Sequence, residues 1–66
     1  MAKDFDYAHA KEVTIEVDGR KFTGQYALRG RILTVMVVGY GQKSTQLGGL
    51  TEEGLARILL RELVNS

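Results

Sequence analysis

The apolar residues of this chain change their period once, near residue 50. Before that point they alternate two by two and are punctuated by tight-turn signals; after it they recur every three to four residues until the chain ends. The first pattern is that of strands with one buried face, the second that of an amphipathic helix. In 66 residues, enough for one domain, the combination specifies an α+β fold: a four-stranded antiparallel β-meander followed by one C-terminal α-helix packed on one face. The domain occupies residues 11–66. Residues 1–10 sustain no period and read as a loose N-terminal arm.

The turns set the register. Val13, Ile15 and Val17 alternate with Thr14 and Glu16, and Asp18-Gly19 follows. That dipeptide suits a two-residue type I′ turn, in which both central positions need positive φ. Val17 then lies opposite Arg20, Ile15 opposite Phe22 and Val13 opposite Gly24. Cross-strand partners share a face, so Phe22, Gly24, Tyr26 and Leu28 join the core side. Arg29-Gly30 reads as the second turn, pairing Leu28 with Arg31, Tyr26 with Leu33 and Gly24 with Val35, where the glycine leaves room. The third strand, Ile32 to Val38, is apolar on both faces apart from Thr34. With Leu33, Val35 and Val37 on the core side, Ile32, Met36 and Val38 point away from it. Gly39-Tyr40-Gly41 reads as a three-residue loop that pairs Val38 with Gln42 and turns Lys43, Thr45 and Leu47 to the core. The fourth strand is polar, as a sheet edge is. Thr51 is a good N-cap, and Glu52 and Glu53 suit the positive end of the helix dipole. Leu55, Ala56, Leu59, Leu60 and Leu63 make the apolar stripe, with Arg57 and Arg61 opposite it and Ile58 outside it.

A domain this small buries only about 60% of its unfolded surface and gains from a second stabilising device. With no Cys and one His, disulfides and multi-imidazole metal sites are closed to a single chain, and a partner chain is the device that remains. Ile32, Met36, Val38 and Ile58, the apolar residues outside the core pattern, are the candidate interface of a homodimer. The lack of Cys suits a reducing cytosol, and no apolar run reaches the length of a membrane span. The start, Met1-Ala2-Lys3-Asp4-Phe5-Asp6, is charged and lacks the apolar region of a signal peptide. These features fit a small cytoplasmic protein of bacterial type.

Net charge is +1, but it is unevenly distributed. Residues 1–18 balance at −3 and residues 52–66 at −1, whereas residues 19–51 hold Arg20, Lys21, Arg29, Arg31 and Lys43 with no acid. Phosphate binding needs such cations on one surface. Lys21, Arg29, Arg31 and Lys43, with Tyr40 as a ring able to stack on a base, are therefore the candidate nucleic-acid-binding residues. Lys21, Thr23 and Gln25 fall on the face away from the helix, beside Thr34, Met36, Ser44 and Gln46.

Other motifs dissolve on inspection. Gly39-Tyr40-Gly41 lacks the third glycine of a dinucleotide-binding run and precedes a strand where that motif needs a helix. In Gly41-Gln42-Lys43-Ser44-Thr45, Gln42 interrupts the Gly-Lys step of a phosphate-binding loop. Asp4, Asp6 and His9 have no second cluster to complete a metal shell. No pair of groups is spaced for acid–base work, so the reading is a non-enzymatic module with no cofactor.

Lys43-Ser44-Thr45-Gln46-Leu47 followed by Thr51-Glu52-Glu53, at the end of a strand–strand–strand–strand–helix order, resembles the last strand and helix start of the single-stranded-DNA-binding transcriptional positive-cofactor family. The resemblance covers about fifteen residues. It implies a curved meander that binds nucleic acid and a closing helix that dimerises. Phe22 and Tyr26 depart from that pattern, since the register turns both to the core, leaving Tyr40 as the ring free to stack. A protein-interaction or homodimeric assembly module is the alternative function.

Overall fold

In the computed structural model of the chain, residues 7–65 are described. Asp18 and Gly19 have φ of 53° and 80°, the doubly positive geometry of a type I′ turn. They join β1, Lys11–Val17, to β2, Arg20–Arg29. Val17 pairs with Arg20, Ile15 with Phe22 and Val13 with Gly24, as the dipeptide requires. β3 spans Ile32–Val37 and β4 spans Gly41–Gln46. The four strands form one antiparallel sheet in the order β1-β2-β3-β4, and one helix, α1, Glu52–Asn65, closes the fold. Tyr7–His9 form a single 3₁₀ turn ahead of β1. Residues 1–6 of the N-terminal arm, with Asp4 and Asp6, lie outside the described residues.

Two turns sit one residue away from where the sequence pattern puts them. The β2–β3 turn is Gly30-Arg31, not Arg29-Gly30: Arg29 pairs with Ile32, Leu28 with Leu33 and Tyr26 with Val35. Gly30 has φ 62° and occupies the first central position, where a type II′ turn needs glycine. The alternative would have placed Arg29 there. The β3–β4 loop is Val38-Gly39-Tyr40, closed by a Tyr40 N–H to Val37 C=O bond of 3.0 Å. Gly39, at φ 90°, takes the third place of the turn, which a type II geometry reserves for a residue of positive φ. Val37 then pairs with Gly41 and Met36 with Gln42, and Val38 belongs to the loop, not to the strand. Both corrections move partners by two residues, so no side chain changes face.

The core lies between the sheet and α1. Val13, Ile15, Tyr26, Leu33, Val35 and Val37 from the strands meet Leu55, Ala56, Leu59, Leu60 and Leu63 from the helix. Leu33, Val35 and Leu60 are fully enclosed. Gly24 is carried opposite Val37, not Val35. A Cβ there would sit 2.9 Å from Val37 Cγ2, 3.1 Å from the Met36 carbonyl oxygen and 3.3 Å from Leu60 Cδ1, so the space the glycine leaves is already filled. Thr51 caps α1: its hydroxyl accepts the Gly54 N–H at 3.0 Å and its carbonyl accepts the Leu55 N–H at 3.0 Å. Gly54, in place of the acid of a capping box, allows the hydroxyl this close approach, since a Cβ would lie 2.8 Å from it. Among the described residues, no helix is long and apolar enough to cross a membrane.

Candidate binding surface

The helix covers one face of the sheet. Strand alternation and the observed pairing put Glu12, Thr14 and Glu16 of β1, Lys21, Thr23, Gln25, Ala27 and Arg29 of β2, Ile32, Thr34 and Met36 of β3, and Gln42, Ser44 and Gln46 of β4 on the other. Hydroxyl pairs lace this open face: Thr14 Oγ1 lies 3.0 Å from Thr23 Oγ1, and Thr34 Oγ1 lies 2.6 Å from Ser44 Oγ. Ala27, which the sequence pattern does not single out, is buried despite its place here, flanked by Gln25, Arg29 and Thr34. Next to it Met36 is half-buried and Ile32 is 46% exposed. A shallow depression of about 380 Å³ is lined by Glu12, Thr23, Gln25, Met36 and Val38.

The charges on this face cancel. Glu12 and Glu16 stand against Lys21 and Arg29, and Lys21 is the cross-strand partner of Glu16. The five cations of the acid-free stretch do not share one surface. Arg20 and Arg29 lie at opposite ends of the ten-residue β2, about 30 Å apart at the rise of an extended strand. Arg31 is in the turn beyond Arg29. Lys43 is on the helix side, with its Nζ 2.7 Å from Glu62 Oε1.

Tyr40 is 47% exposed but not isolated. Its ring meets the Phe22 ring edge-on, with centroids 6.0 Å apart, and the Arg20 guanidinium sits over the other ring at 5.7 Å from its centroid. Arg20 and Phe22 are the members of this cluster that sequence reasoning left out of the site. Their signal was available: two residues apart on one strand, they share a face, and both hairpin loops that bound the cluster lie at the same end of the sheet. Planar groups can stack on such a combination of ring and guanidinium.

The four candidate interface residues also divide. Ile32 and Met36 lie on the open face and Val38 at its rim, 86% exposed, whereas Ile58 is 46% exposed on α1, beside Ile15 of β1 and among Arg57, Arg61 and Glu62. Arg57 there donates to Glu53 at 2.6 Å. Among the described residues, no three His, Asp or Glu side chains gather as metal ligands. The chain matches no family model, no curated protein and no solved structure.

Proposed function

We propose that this chain is a non-enzymatic binding module that works as a homodimer in a bacterial-type cytoplasm and holds a macromolecular partner on the open face of its sheet. The observation that carries the reading is the character of that face: apolar Ile32, Met36 and Val38 set among neutral Thr, Ser and Gln, with balanced charge and a shallow depression. Such a surface favours a protein contact, because mixed neutral polar and apolar groups bury at low desolvation cost. The homodimer rests on size, since a chain of 66 residues with no disulfide has little core to spare. Sedimentation equilibrium across the micromolar range tests it. A dimer is the expected species, and a monomer at every concentration removes the homodimer reading.

Nucleic acid is the second reading, favoured by Arg20, Phe22 and Tyr40 at one end of the sheet and Arg29 and Arg31 at the other. It agrees with the resemblance to the transcriptional positive-cofactor family. Binding of this kind is electrostatic and falls steeply with salt. The double variant Arg29→Ala/Arg31→Ala should weaken binding to all sequences alike and flatten the salt slope by about two contacts. Tyr40→Ala should weaken single-strand binding selectively. Titration of labelled single- and double-stranded oligonucleotides at low salt reads both, and the absence of any binding there leaves the protein-interaction reading alone.

A further inference from the structure

The two edges of the sheet differ in how they are guarded. Exposed strand edges invite pairing, and proteins blunt them with charges, proline or bulges. The β1 edge carries Lys11, Glu12 and Glu16. In a full-length antiparallel overlap of two β1 strands, centred on Thr14, Glu12 of one copy would face Glu16 of the other. The β4 edge has no such guard. Its one charged residue, Lys43, is tied across the helix side to Glu62 at 2.7 Å, and Gln42, Ser44 and Gln46 are exposed and neutral.

The backbone of β4 is also presented for pairing. The Leu47 N–H donates to the Arg31 carbonyl at 2.8 Å, which fixes the phase of the ladder. Odd-numbered residues of β4 turn their N–H and C=O groups to β3, and Gln42, Ser44 and Gln46 turn theirs outwards.

We infer that the β4 edge pairs with the β4 edge of a second copy about a two-fold axis through Ser44, joining the two sheets into one of eight strands. This rests on the homodimer reading and names its contact. The two-fold places Ser44 opposite Ser44, Gln42 opposite Gln46 and Lys43 opposite Thr45, so no like charges meet. Shifting the axis to residue 43 would set Lys43 against itself. Three outward-facing residues on each copy exchange roughly six backbone hydrogen bonds. Both helices then lie on one side of the joined sheet, and the two open faces run together on the other as a single platform.

The test exploits the register. Gln42→Glu/Gln46→Glu sets acid against acid twice across the axis, whereas Gln42→Lys/Gln46→Glu sets opposite charges there at the same exposed positions. Sedimentation equilibrium of the full chain, with thermal melts to verify folding, should show a dimer for the wild type. The first variant should raise the dimer Kd about tenfold, and the second should leave it unchanged or lower. Equal dissociation constants in both variants, with a wild-type dimer, would overturn the β4 contact while leaving the homodimer. Loss of the dimer in Met36→Lys but not in Gln42→Glu/Gln46→Glu would place the contact on the open face and overturn it equally. A monomeric wild type would remove the homodimer reading and this contact together.

Discussion

Gly24→Ala is the sharpest probe of how the sheet and helix meet. The added methyl group would lie 2.9 Å from Val37 Cγ2, 3.1 Å from the Met36 carbonyl oxygen and 3.3 Å from Leu60 Cδ1. Two of these neighbours have little freedom to give way. Val37 is 5% exposed and, being β-branched, is stiff at χ1; the Met36 oxygen belongs to the backbone. Forcing an extra methyl into such a site costs about 1–3 kcal/mol. Losing the glycine's freedom in the unfolded chain returns about 0.4–1 kcal/mol. The net expectation is a loss of roughly 1–2 kcal/mol, which lowers the melting temperature by about 5–15 °C in a domain of this size. Thermal unfolding followed by circular dichroism measures it. Because Val37 Cγ2 is the closest obstacle, Gly24→Ala should cost about 1 kcal/mol less in a Val37→Ala background. A single variant that melts at or above the wild type, or a cost that does not change in that background, would refute the packing argument.

Gly19→Val should destabilise the domain by roughly 1–3 kcal/mol, because Gly19 sits at φ 80°, a region that β-branched residues enter only under strain; an unchanged melting temperature would count against the turn. Thr51→Ala should cost about 1 kcal/mol through the lost cap, whereas Thr51→Ser, which keeps the hydroxyl, should cost far less; chemical denaturation of the pair reads the difference. Glu62→Gln should change stability by less than about 1 kcal/mol, since both partners of the Lys43–Glu62 pair are about half exposed; a larger loss in the same denaturation series would mean that the pair anchors the helix to β4.

The elements and their faces were legible in the sequence because two periodicities meet turn residues with strict φ demands. Asp18-Gly19 fixed its hairpin outright, since both positions of the turn are of the type that tolerates positive φ. At Gly30 the same reasoning slipped by one residue, because a single glycine fits either central position until the turn type is known. A type II′ turn with Gly30 first spares Arg29 a positive φ. The β3–β4 loop slipped in the same way: Gly39 and Gly41 both take positive φ, at 90° and 102°, and either can anchor a loop until the pairing is known. The faces survived both slips because the displacement of partners was two residues, one full strand period. Helix α1 was legible from its cap and its stripe alone.

The candidate site was less legible. Arg20, Lys21, Arg29, Arg31 and Lys43 are neighbours in the sequence's charge profile, but a meander returns each strand to the opposite end of the sheet, and alternation sends adjacent residues to opposite faces. The chain therefore scatters a basic stretch that looks continuous on paper. The Arg20–Phe22–Tyr40 cluster arises by the same geometry in reverse, with Tyr40 brought back to Arg20 and Phe22 from eighteen to twenty residues along the chain. Ile32 and Met36 were correctly placed away from the core, and Ile58 was separated from them because α1 lies across the other side of the sheet.

The most direct test of the account is a dilution series of amide spectra of the isotopically labelled full chain. If the module self-associates along β4 and leaves its open face free, the amides of Gln42, Ser44 and Gln46 should shift with concentration, while those of α1 at Arg57, Ile58 and Arg61 should hold still. Shifts confined to α1 or to the open face, or spectra that stay constant while the rotational correlation time is that of a monomer, would contradict it.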